Sequence, residues 1–117
     1  MKNLNILQIA LTVTLFIVSG LTLAVEEHLA QALEHANAAA SHGNMGHADV
    51  LTEHAKESLT HAEAAVNVLD GESKSHMAEA VTHLKAAIKH GEMGHADVAT
   101  EHVNEAITHI NASIGGA

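Results

Sequence analysis

The sequence predicts an all-α protein, an up-down-up-down antiparallel four-helix bundle built from two duplicated helical hairpins. Three observations carry that prediction. The chain of 117 residues contains no proline, so nothing interrupts a helix from within. Small and aliphatic residues recur at heptad spacing along four stretches, which is the stripe an α-helix buries against its neighbours. Segment 42–54, HGNMGHADVLTEH, returns 48 residues later as HGEMGHADVATEH at 90–102, so one unit of helix-pair length occurs twice.

Residues 1–24 read as a cleavable secretory leader. Lys2 gives a short positive start, an apolar run follows from Ile6 to Val18, and Thr22-Leu23-Ala24 resembles the small-residue cleavage pattern. The competing reading, an uncleaved single-span anchor, has a length near the lower limit for crossing a bilayer and one basic residue before it. Residues 25–117 then form one bundle, with repeat units at 28–70 and 76–117. Helices are expected over residues 26–42, 47–69, 75–90 and 95–113. Gly43 and Gly91 stand where a helix C-terminal glycine is expected, and Gly46 and Gly94 precede the next helix. Asp49 and Asp97 suit the positive end of a helix dipole. Residues 70–73, Asp-Gly-Glu-Ser, mark a turn, with Ser73 or Ser75 as the cap of the third helix. The stripe contains Leu51, Ala55, Leu59, Ala62 and Ala65 in the second helix, and Ala99, Val103, Ala106 and Ile110 in the fourth. An alanine-rich stripe permits close helix approach but buries little apolar area, so the core is expected to be only marginally stable. Met77, in the place of Leu29 of the first unit, belongs to that core.

Composition excludes several functions. After residue 24 there are 14 acidic residues against Lys56, Lys74, Lys85 and Lys89, and the chain has no arginine. Such a surface repels phosphates and attracts cations, so neither nucleic acid nor membrane is an expected partner of the mature chain. The chain has no cysteine, which removes thiolate metal sites, and its one aromatic residue, Phe16, lies in the leader.

The chemistry lies in twelve histidines in four sets of three, each set spaced by seven residues: His28, His35, His42; His47, His54, His61; His76, His83, His90; His95, His102, His109. Seven residues are close to two helical turns, so each set lines one side of one helix. Each line flanks the apolar stripe, at the position that meets an antiparallel partner along a seam. Antiparallel hairpins place His28 level with His61, His35 with His54 and His42 with His47; they likewise match His76 with His109, His83 with His102 and His90 with His95. A flanking side chain serves one seam, so pairs are expected rather than rings of four. Successive histidines on one helix are about 10 Å apart, too far to share an ion. Glu57, Glu79 and Glu105 stand three residues after one histidine and four before the next, where each can add an oxygen donor. In the first helix that place is taken by Gln31, and Met45 and Met93 stand in the loops as packing residues rather than ligands. Imidazole and carboxylate without thiolate suit Cu(II), Ni(II) and Zn(II), with Cu(II) favoured by the Irving–Williams order. Several similar, open sites fit buffering or carrying of metal better than a single catalytic centre, so an enzyme is not expected.

The leader, the histidine heptads and the duplicated HG-x-MGHADV segment together resemble the periplasmic small metal-binding protein family of ammonia-oxidising bacteria. The resemblance covers the whole chain. It implies a monomeric four-helix bundle in the periplasm that binds several divalent ions with copper preferred, through the twelve histidines, and acts in copper handling or tolerance, exchanging metal with a donor or acceptor protein. Two other functions fit the residues less closely. One is an acid-stress protein driven by protonation of the histidines. The other is a di-iron bundle enzyme, but the helical spacing here is Glu-x-x-x-His (57/61, 79/83, 105/109) rather than the Glu-x-x-His of those sites.

Overall fold

The computed structural model describes the backbone of residues 2–116 and the side chains of residues 23–116. The expected leader, residues 1–24, lies almost wholly outside the described side chains. Four helices follow in order: α1 (Lys2–Asn44), α2 (Ala48–Val66), α3 (Gly71–Glu92) and α4 (Ala96–Gly116). No strand occurs among the described residues. Connections at residues 45–47, 67–70 and 93–95 are too short for a crossover, so successive helices run antiparallel. Each helix packs on both neighbours, α4 closes against α1, and α2 makes a slight diagonal contact with α4. This is the expected four-helix bundle.

Helix ends depart from the sequence reading where local signals compete. The first helix begins at Lys2 rather than near residue 26, since neither proline nor a turn signal separates the apolar run from the first histidine heptad. The third begins at Gly71 rather than near residue 75. Asp70 takes the cap position with extended backbone (φ −138°, ψ 174°) and makes no side-chain capping bond. Ser73 is therefore not a cap. It lies buried inside α3, where its hydroxyl donates to the Ser113 carbonyl at 3.0 Å while the Ser113 hydroxyl donates to the Ser73 carbonyl at 2.7 Å. This reciprocal clasp ties the start of α3 to the end of α4.

The core consists of small residues around a few larger ones. Alanines 32, 36, 39, 55, 62, 65, 80, 87, 99 and 106 have no solvent exposure, and Leu51, Met77, Leu84, Val103 and Ile110 fill the space between them. Alanine at most of the facing positions lets the helices approach closely, and hydroxyls use that proximity: Ser58 in α2 donates to the Ala32 carbonyl of α1 at 2.7 Å. The buried hydroxyls are thereby partnered, which removes the cost of leaving them unpaired.

The glycines divide into two roles. Gly46 and Gly94 hold the left-handed backbone of the two hairpin loops (φ 79° each). Gly43 and Gly91 do not, contrary to the expectation of helix-terminal glycines there. Both stay within their helices, buried where neighbouring helices leave no room for a Cβ. A Cβ on Gly43 would collide with the Thr100 hydroxyl and would lie 2.6 Å from Leu51 Cδ1; one on Gly91 would collide with the Thr52 hydroxyl and would lie 3.3 Å from the Ala48 carbonyl. Both threonines are buried, with their hydroxyls bonded back to the Ala48 and Ala96 carbonyls, so they have little room to yield. Helix propensity alone gives Ala about 1 kcal/mol over Gly. The packing predicts the opposite sign for Gly91→Ala: thermal unfolding should show a loss of about 1–3 kcal/mol, the usual cost of overpacking. Gly115→Ala, which meets nothing within 4 Å, should be neutral or stabilising.

Candidate metal centre

The heptad fixes where each imidazole stands. The residue after each histidine is buried core, as with Leu29, Ala36, Ala55, Ala62, Met77, Leu84, Val103 and Ile110, except for half-buried Ala48 after His47. Anchoring the next residue in the core places the imidazole at the rim of the same face. Ten histidines are half-buried, and His47 and His95, at the starts of α2 and α4, are exposed.

All six expected pairs form. Across the α1–α2 seam the Nδ1 atoms of His28 and His61 are 3.2 Å apart, and those of His35 and His54 are 3.5 Å apart. Across the α3–α4 seam His76 with His109 and His83 with His102 are each separated by 3.5 Å. At the loop end His42 faces His47 and His90 faces His95, with ring centroids 5.9 and 6.0 Å apart. Every imidazole contact among the described residues lies within one hairpin, so the bundle carries two separate seams rather than rings of four.

One feature of the seams has no counterpart in the matched heights. Histidines also stack diagonally: His35 on His61 (6.0 Å), His42 on His54 (5.6 Å), His83 on His109 (5.6 Å) and His90 on His102 (5.4 Å), with ring planes within 12° of parallel. Each seam is therefore a continuous zigzag of six rings. The gap between successive histidines on one helix, expected to be filled by carboxylates, is filled first by an imidazole of the opposite helix. A half-step stagger between the lines produces this arrangement, and sequence spacing fixes height only to the nearest turn.

The three glutamates stand outside the zigzag, exposed, each reaching across its seam. Glu57 Oε2 is 2.9 Å from His35 Nδ1 on the opposite helix. Glu79 Oε2 is 2.9 Å from His109 Nδ1 across the seam and 3.6 Å from His76 Nδ1 on its own helix. Three groups result whose donor atoms lie within 4.8 Å of one another: His35, His54 and Glu57; His76, Glu79 and His109; His83, Glu105 and His109. The remaining histidines, His28, His42, His47, His61, His90, His95 and His102, belong to no such group, although each is paired. Met45 and Met93 are exposed and do not pack in the core, because three-residue loops lift them away from it.

These donors fit a transition metal by their chemistry and spacing. Two metal–nitrogen bonds of about 2.0–2.1 Å at a near-tetrahedral angle span a nitrogen separation close to that of the pairs. Buried Nδ1 atoms on His42 and His90 have no hydrogen-bond partner, leaving two nitrogen donors unspent. Protons compete for the same lone pairs. Burial holds the His61 imidazole below its ordinary pKa of 6.5, and the neighbouring His28 and His35 lower it further, outweighing the opposing pull of Glu27 and Glu57. His61 thus stays neutral, the form that binds metal, to lower pH than a free imidazole does. A depressed histidine pKa means that the unfolded chain binds the proton more readily, so His61 subtracts from stability once pH falls below 6.5 and progressively more until its folded pKa is passed. NMR titration of the metal-free protein should give a His61 midpoint below 6.5, and thermal unfolding should show stability rising with pH through that window.

A search of curated proteins gives no match to this chain. The family described as Small metal-binding protein matches residues 1–113, which takes in both seams and all three carboxylate-bearing groups. With metal donors aligned in this way and a match that leaves only the last few residues uncovered, the chain belongs to the small metal-binding protein family.

Proposed function

We propose that this protein binds, buffers and hands on several divalent transition-metal ions in the periplasm, with Cu(II) favoured over Ni(II) and Zn(II), and that it does so without catalysing a reaction. The observation that carries this reading is the pairing of all twelve histidines in two open seams, three places of which add a carboxylate. Nitrogen and carboxylate oxygen without sulfur thiolate select divalent ions at the upper end of the Irving–Williams order. Openness suits exchange: the carboxylates are exposed and the imidazoles half-buried, so an incoming ligand from a metal donor or acceptor protein can reach the ion. The periplasmic assignment rests on the sequence of residues 1–24.

The di-iron alternative finds no support in the bundle interior. Those centres project carboxylates into the core, whereas the buried polar or charged residues among the described ones are Thr52, Ser58, Ser73, Thr100 and Ser113.

Calorimetric titration of the metal-free protein with Cu(II) at neutral pH should reveal more than one bound equivalent, with nitrogen hyperfine structure in the electron paramagnetic resonance spectrum. A single equivalent, or coordination by oxygen alone, would overturn the reading. Because the ions bind the folded seams, saturating metal should raise the unfolding temperature, with about 2.7 kcal/mol of stability gained for each bound ion when free metal is 100 times its Kd, and a chelator should remove that gain. Fractionation of the native cell should recover the protein from the periplasm with Val25 at its amino terminus; cytoplasmic recovery of a chain retaining residues 1–24 would refute the assignment.

A further inference from the structure

Histidines in the two seams match at every position, but the carboxylates do not. In the first seam the place between His28 and His35 on α1 holds Gln31, whose amide turns back along its own helix and donates to Glu27 Oε1 at 3.0 Å. His28 and His61 therefore face each other without a carboxylate between them. In the second seam the corresponding place holds Glu79, between His76 and His109. Glu105 approaches the same His109 from one turn away on α4 and forms the neighbouring group with His83. His109 is thus common to both carboxylate-bearing groups of the second seam, while its counterpart His61, 48 residues earlier, belongs to none.

We infer that His109 is a shared hand-over ligand, so that the second seam offers two alternative positions to one tightly held ion while the first offers a single fixed one. This deepens the metal-carrying function proposed above and rests on it. An ion held by His76, Glu79 and His109 keeps its bond to His109 while His83 and Glu105 replace His76 and Glu79. Two imidazoles and one carboxylate are bound before the exchange and after it, so donor count and charge balance. Each departing donor can be replaced as it leaves, and the ion moves along the seam without full release. Occupation of one position deprives the other of a ligand, so the three geometric groups hold two tight ions at once, one per seam. The first seam, with its one group at His35, His54 and Glu57, offers no second position of this kind.

Native mass spectrometry of the full chain, titrated with Cu(II) against a competing chelator, tests this. The wild type should retain two ions. His109→Asn should retain one, with affinity in the second seam lowered at least ~10-fold, since loss of even an outer-shell partner costs about that much. His61→Asn should still retain two. Gln31→Glu supplies the carboxylate that the first seam lacks beside His28 and His61; the group so formed shares no ligand with His35, His54 and Glu57, so this variant should retain three ions. Circular dichroism of each variant shows that the bundle is intact. Three tight ions in the wild type, or equal losses in His109→Asn and His61→Asn, would overturn the shared ligand while leaving metal carriage standing. A wild type that retains no Cu(II) would overturn both.

Discussion

Close approach of the helices is the constraint on which the rest of the structure depends. Alanine at most interior positions, with Gly43 and Gly91 where a neighbouring helix leaves no room for a Cβ, lets the helices come together. Imidazoles on the rim of the buried face then meet their partners at 3.2–3.5 Å rather than reaching into solvent. Leucine or phenylalanine throughout would bury more apolar area and give a more stable bundle, but it would hold the helices further apart and open the seams. The narrow, alanine-rich core is thus the feature that brings the donors into range.

The alanine-rich packing and metal binding fit together energetically. With the function proposed above, ions that bridge two helices of a hairpin bind the folded chain more tightly than the unfolded one, so occupancy adds to the stability of the alanine-rich core. The acidic surface works in the same direction by raising the local concentration of cations. Protonation opposes it. His61 resists protonation, because its burial and its histidine neighbours favour the neutral form. Metal therefore competes with protons less at this position than it would at an isolated histidine.

The carboxylates add distinctions that the histidines do not make. Twelve matching imidazoles alone would give two interchangeable seams. Glu79, with Gln31 in the corresponding place, makes them unequal, and the approach of Glu105 to the same histidine couples two positions on one side of the bundle. A bundle of repeated units thus gains individual sites through single-residue differences at exposed places, where substitution costs the fold little.

By itself the sequence determined the helices, their antiparallel order, the core stripe and the pairing of the histidines, because all of these follow from the helical period and from loops too short for any other path. His28 opposite His61 or His83 opposite His102 is a matter of counting residues along two rods joined at one end. The tertiary structure decided what depends on rotation and stagger of those rods. It placed the diagonal stacks such as His35 on His61, turned Ser73 from an expected cap into a clasp with Ser113, and moved Gly43 and Gly91 from helix termination to close packing. It also brought Glu79 and Glu105 to one histidine. A shift of about one helical turn leaves the pattern of apolar and polar residues intact while changing which side chains touch, and that shift is set by how the whole core packs.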